Sequence, residues 1–181
     1  WAIYALTILT VRNSNLSSLY PYQLSSFKLL TCLYLIYDSI SVIEQYAFSG
    51  LLHLKRLSLR GNPIEVLHTQ IFVNLTKLRY LDLSYTELRQ IHDIFSSNIN
   101  LQTLILTHSS LTSISPDTIN SLYSLRIFDM SNIDITQTSY VNISKLDSNN
   151  DMSKVYTVSY EMCCIFVEAH CASDKIGRAH V

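Results

Sequence analysis

The 181-residue chain is 48% hydrophobic and 15% charged, a balance that supports a folded domain and excludes a disordered one. Its formal net charge is −1, from 13 Lys+Arg against 14 Asp+Glu, so no dominant basic character invites nucleic acid or anionic lipid. No apolar run reaches the roughly 18–20 residues that a membrane-crossing helix requires.

In chain order, the first feature is a pattern already in progress: Leu6-x-x-Leu9-x-Val11-x-x-Ser14-x-Leu16. It recurs as Leu30, Leu33, Leu35, Asp38, Ile40, then as Leu54, Leu57, Leu59, Asn62, Ile64, and as Leu78, Leu81, Leu83, Thr86, Leu88. Two further copies start at Leu101 and Leu125, so the unit steps are 24, 24, 24, 23 and 24 residues. The second half of each unit repeats too, through Leu19, Ile43, Leu67, Ile91 and Ile114, then Leu24, Phe48, Phe72, Phe95 and Ile119.

This periodicity resembles the extracellular leucine-rich repeat. The resemblance implies an α/β solenoid, a horseshoe with a parallel concave sheet and an irregular or short-helical convex side. The residues agree physically: Leu-x-x-Leu-x-Leu alternates as a short strand does, and one unit cannot bury its apolar row without stacking on another. With only three Gly and three Pro, the turns must come largely from Asn and Ser. Asn62 alone places a full amide at the turning position, so its hydrogen-bonded ladder is expected to be weaker than ideal, with Ser14, Asp38, Thr86 and Ser109 as partial substitutes.

The outward strand positions are the expected ligand surface. Tyr34, Arg56, Arg60, Tyr80, Asp82 and Asp129 form its most chemically pointed set, because Arg and Tyr favour interface hot spots. Cys32 is expected to face outward beside Tyr34. Asn15, Asn74 and Asn142 head N-glycosylation triplets; Asn74 is the favoured one, on the outer side of a coil, whereas Asn15 is expected to be enclosed in the strand–turn corner. The histidines form no helical ligand pair, and the sequence has no phosphate-binding glycine loop, nucleophile elbow or paired catalytic carboxylates. The expectation is a binding module, not an enzyme, with no cofactor.

After Ile135 the pattern loosens and then revives as Met152-x-x-Val155-x-Thr157, just before Cys163, Cys164 and Cys171. The spacing Cys163-Cys164…His170-Cys171 lacks the Cys-x-x-Cys arrangement usual for zinc, and no metal site is expected. The Asn-Pro/Cys-x-Cys/Trp signature of the C-terminal caps of Toll-like receptors and Slit-type proteins is missing. Residues Met152 to Cys171 resemble instead the hinge of leucine-rich-repeat G-protein-coupled receptors, nearest the relaxin-receptor branch and its invertebrate relatives.

That resemblance implies a receptor ectodomain at the extracellular side of the plasma membrane. It would bind a peptide or protein hormone and signal to a G protein through seven helices beyond this sequence, which supply the only membrane contact. It also implies a disulfide from Cys171 to Cys163 or Cys164, with the leftover thiol paired elsewhere. The alternative is a secreted or single-span adhesion or protein-binding module. The expected organisation is repeats over 1–135, a last irregular repeat and hinge over 136–175, and a terminal Ile176–Val181 that resembles a translated sequencing adapter. Because Trp1–Leu6 begins in mid-pattern, further sequence is expected to precede it.

Overall fold

The computed structural model describes residues 5–133 and 155–158. The strands are β1 (Ile8–Arg12), β2 (Ser18–Leu19), β3 (Cys32–Ile36), β4 (Val42–Ile43), β5 (Arg56–Ser58) and β6 (Tyr80–Asp82). They continue as β7 (Gln90–Ile91), β8 (Thr103–Ile105), β9 (Ser113–Ile114), β10 (Ile127–Met130) and β11 (Val155–Val158), with one short helix, α1 (Pro116–Asn120), between β9 and β10. Seven of the strands form a parallel sheet in the order β1-β3-β5-β6-β8-β10-β11, while β2-β4 and β7-β9 make two small parallel pairs behind it. This is the expected solenoid.

The register follows the repeat residue for residue. Leu9 pairs with Leu33, Leu33 with Leu57, Leu57 with Leu81, Leu81 with Leu104 and Leu104 with Phe128. From Leu33 onward this row is at most 1% exposed, as are the unit starts Leu30, Leu54, Leu78, Leu101 and Leu125. Behind the sheet, Phe48, Phe72 and Phe95 stack at 6.0 and 5.9 Å between centroids, flanked along the chain by buried Leu24 and Ile119. Each such side chain contributes roughly 1.5–3 kcal/mol on burial, so the core is a continuous column shared between coils.

The turning ladder is graded, as its residue types require. Asn62 Oδ1 accepts from the N–H groups of Asp38 and Ile40, both at 3.0 Å, and its Nδ2 donates to the carbonyls of Leu35 and Leu59, both at 2.8 Å. Asp38 accepts from Ser14 N–H at 2.9 Å through one oxygen and leaves the other buried without a partner. Thr86 only donates to Leu83 O, the Ser109 hydroxyl is buried without a partner, and the equivalent position in the next unit is Ile133. A second asparagine, Asn98, bonds the carbonyls of Phe72 and Leu75 behind the sheet. Its position after Phe95 gave no periodic signal, because no other unit repeats it.

The residue before each turning position adopts the left-handed conformation: Asn13, Tyr37, Gly61, Tyr85, His108 and Asn132, with φ between 52° and 70°. Their N–H groups reach forward to the next coil, as in Tyr37 to Arg60 O (2.9 Å), Gly61 to Ser84 O (2.9 Å) and Tyr85 to Thr107 O (2.9 Å). Left-handed backbone costs a non-glycine residue roughly 1–2 kcal/mol, a cost that recurs here at Tyr and His. At Gly61, a Cβ would stand 2.1 Å from the Tyr37 ring, so the aromatic ring lies over the bare glycine. We expect Gly61→Ala to cost about 2 kcal/mol and lower Tm by roughly 5 °C in a thermal melt, because Tyr37 must move and the φ becomes strained.

One expectation is corrected. β11 pairs Tyr156 with Phe128 and Val158 with Met130, one residue out of step with the Val155/Thr157 pattern. A one-residue slip exchanges the two faces of a strand. The observed register sets apolar Tyr156 and Val158, in place of Val155 and polar Thr157, opposite the core residues of β10.

Candidate functional site

Strand alternation turns every second residue of the main sheet toward its open face, and parallel pairing lines those residues up across coils. Cys32, Arg56, Tyr80 and Thr103 share one row; Tyr34, Ser58, Asp82, Ile105 and Asp129 share the next. The expected set Tyr34, Arg56, Arg60, Tyr80, Asp82 and Asp129 therefore lies on one face. Its members nonetheless differ in what they can offer a ligand.

Asp82 is 6% exposed, and both its oxygens are engaged. Oδ1 accepts from the Ser84 N–H at 2.9 Å and hydroxyl at 2.6 Å, and Oδ2 accepts from the Ser58 hydroxyl at 3.3 Å. The Ser84 hydroxyl in turn accepts from Arg60 Nη1 at 2.9 Å. Asp82 thus organises the face from beneath and holds Arg60 in place through Ser84. The alternation rule shows only that Asp82 points outward; Ser58 and Ser84 take up its oxygens.

Arg60 lies 4.4 Å from the Tyr85 ring centroid, and Tyr85 stacks on His108 at 4.4 Å. Burial alone would lower the affinity of the Arg60 guanidinium for its proton, but the neighbouring Tyr37 hydroxyl and Asp82 carboxylate raise its pKa above the ordinary value. Tyr37, Arg60, Tyr85 and His108 make a cation–aromatic strip along the outgoing edge of the sheet. Its aromatic members were not legible from strand alternation, since they stand outside the alternating positions. The detectable signal is their shared place one residue before the turning position.

Arg56 lies over the Tyr80 ring at 5.6 Å. Desolvation raises the Tyr80 pKa above the usual tyrosine value, with Asp82 and Tyr34 adding to the shift and Arg56 and Arg60 opposing it. Tyr34 is raised in the same sense, by burial first and then by Cys32, with Arg56 opposing. Both hydroxyls stay protonated and can donate to a ligand. Asp129 is half-buried and accepts from the Ser131 N–H at 3.0 Å through one of its two oxygens.

Cys32 is a half-buried free thiol on the same face, in register with Arg56. Asn15 is exposed and Asn74 half-buried, the reverse of the expected accessibility, because the residue between Ser14 and Leu16 points outward at the corner. Asn142 and the cysteines Cys163, Cys164 and Cys171 lie outside the described residues. Among the described residues, no group of three or more His, Cys, Asp or Glu is placed to hold a metal, and no helix is long and apolar enough to cross a membrane.

The chain is similar to Toll-like receptor 4 of Bos taurus, 33% identical over 93 residues, which is 50% of this chain and 11% of that protein. It is equally similar to leucine-rich repeat-containing G-protein coupled receptor 4 of Mus musculus, 33% identical over 98 residues, covering 54% of this chain and 10% of that protein. The chain therefore spans about a tenth of the curated relatives that it matches. Among solved structures, the leucine-rich repeat domain of APL1 superposes with a TM-score of 0.74 at 27% identity, over 81% of this chain and 38% of that one. The LRIM1/APL1C complex gives 0.72 at 26% identity, over 81% of this chain and 27% of that one. Family models described as leucine-rich repeats match residues 5–64, 52–98 and 100–122, the stretches whose apolar rows form the stacked core. By its repeat, its register and these matches, the chain belongs to the leucine-rich repeat family, whose solenoid is suited to binding other proteins.

Proposed function

We propose that this chain is the ligand-binding ectodomain portion of a leucine-rich-repeat G-protein-coupled receptor for a peptide or protein hormone. The observation that carries this reading is the convergence of Tyr34, Arg56, Arg60, Tyr80 and Asp129 on one open sheet face, held in register by a rigid core. Arg, Tyr and a carboxylate set on rigid strands are the chemistry of protein-interface anchors. Asp82 serves the face indirectly, by aligning Arg60 through Ser84.

The similarity to mouse leucine-rich repeat-containing G-protein coupled receptor 4 supports the receptor class, and the hinge-like Met152–Cys171 stretch supports it independently. On this reading residues 1–135 bind the ligand, 136–175 form the hinge with a disulfide from Cys171 to Cys163 or Cys164, and Asn15, Asn74 and Asn142 carry glycans. The protein would stand at the extracellular side of the plasma membrane, and a seven-helix domain beyond this sequence would engage the G protein. The equal identity to bovine Toll-like receptor 4 favours a second reading, a secreted or single-span module that binds protein through the same face.

The full-length transcript separates the two. Seven apolar segments of helix length after Lys175 are the expected result; a single segment or a stop there would replace the first reading with the second.

A further inference from the structure

We propose that the depression across the entries of β5, β6 and β8 is an anion subsite that receives a carboxylate from an acidic segment of a protein partner. The proposal rests on the reading of the sheet face as protein-binding and specifies the chemistry of what it binds. The depression measures about 300 Å³ and is lined by Lys55, Arg56, Arg79, Tyr80, Gln102 and Thr103. Three of these six side chains are exposed cations, and the other three can donate hydrogen bonds.

The backbone fixes their spacing. Arg79 and Tyr80 N–H both reach Lys55 O, at 2.9 and 3.1 Å, and Gln102 and Thr103 N–H both reach Arg79 O at 2.9 Å. Neighbouring strands stand about 4.8 Å apart, so Lys55 and Arg79 flank a gap that one small anionic group can bridge. Arg56, seated over the Tyr80 ring, presents a planar fork that matches a carboxylate.

Among the described residues, three cations line the depression against one neighbouring carboxylate, Asp82. Asp82 spends both oxygens on Ser58 and Ser84, while Glu44, Glu65, Glu87, Asp93 and Asp117 all lie on the segments that leave the sheet. Like charges gathered with only partial compensation repel one another, and an incoming anion relieves that repulsion.

The length of the cationic row selects the partner. Along the incoming edge, the described residues of successive coils are Thr7, Thr31, Lys55, Arg79, Gln102 and Arg126, so among them Lys55 and Arg79 stand side by side between uncharged neighbours. A sulfated polysaccharide carries charge along its whole length and needs a longer track. One or two acidic side chains within a protein segment fit this row.

The test is fluorescence-anisotropy titration of the full chain with a labelled hexaglutamate peptide, in competition with a heparin-derived hexasaccharide. Arg56→Gln/Arg79→Gln is expected to weaken peptide binding about tenfold or more, and Arg89→Gln, which removes a cation on an outgoing segment, to leave it unchanged. Both sets lie at exposed positions and circular dichroism should show unaltered folding. Absence of peptide binding, an equal loss in Arg89→Gln, or displacement of the peptide at lower concentration by the hexasaccharide would each overturn the proposal. Photo-crosslinking of extracellular proteins from position 34 reads the parent proposal separately: adducts there alongside a failed peptide titration would retain the protein-binding face and remove only this subsite.

Discussion

Replacing Leu81 with Asp should abolish the folded state. Leu81 is fully buried at the centre of the main sheet, between Leu57 on β5 and Leu104 on β8, which are themselves inaccessible. An ionised carboxylate there has no partner, and its burial costs on the order of 5 kcal/mol or more, comparable to the roughly 5–15 kcal/mol by which a domain is stable. In a solenoid each coil depends on its neighbours, so the damage does not stay in one unit. The expected outcome is loss of secretion from expressing cells and loss of the cooperative unfolding transition. Thr103→Asp, at an outward position on the adjacent strand, should be secreted and fold normally. Normal secretion and folding of Leu81→Asp would contradict the register.

Asn62→Ala should be the most damaging polar substitution in the turning ladder. One side chain satisfies two buried N–H groups and two carbonyls in adjoining coils, at 2.8 to 3.0 Å. Its removal leaves four groups to find new partners, a loss of about 4 kcal/mol at roughly 1 kcal/mol each. Thr86→Val, at the equivalent position one unit later, deletes a single bond to Leu83 O and should cost about 1 kcal/mol. Denaturant unfolding of the two variants measures the difference directly. Equal losses would mean that the ladder is not graded along the solenoid.

The contrast between these two positions also explains how far the sequence could be read. Apolar rows were legible because burial imposes them: Leu33, Leu57, Leu81 and Leu104 recur in step, and the sheet register repeats that step. The weak ladder was legible for the same reason, since Thr86, Ser109 and Ile133 lack the atoms of Asn62. Conformation at the left-handed positions was hidden, because Tyr37, Tyr85 and His108 are not residues that announce positive φ. Stacking and the flat approach of Tyr37 to Gly61 accompany that backbone.

The candidate face divides in the same way. Strand alternation located Tyr34, Arg56, Tyr80 and Asp129 on the open side of the sheet without any knowledge of packing. It could not distinguish Asp82, whose carboxylate is consumed by Ser58 and Ser84, from a free acidic contact. Nor could it find the depression, because Lys55, Arg79 and Gln102 sit at the entry to the strands, and only the stacking of coils brings them together. The one-residue offset of β11 follows from a short pattern: with Tyr156, Thr157 and Val158 adjacent, two registers satisfy the leucine spacing almost equally, and the observed pairing sets Tyr156 and Val158 opposite Phe128 and Met130.

The central claim is that the open face of the main sheet binds a protein ligand. It is tested most directly by placing a photo-crosslinking phenylalanine analogue singly at Tyr34 or Thr103 on that face, and at Val66 or Tyr123 on the outer surface, then illuminating each with extracellular fluid from the source organism. Val66 and Tyr123 are 74% and 81% exposed, so they capture at least as readily as any position if contact is indiscriminate. The expected result is a discrete protein adduct from positions 34 and 103 and none from 66 and 123; adducts confined to the outer positions would contradict the account.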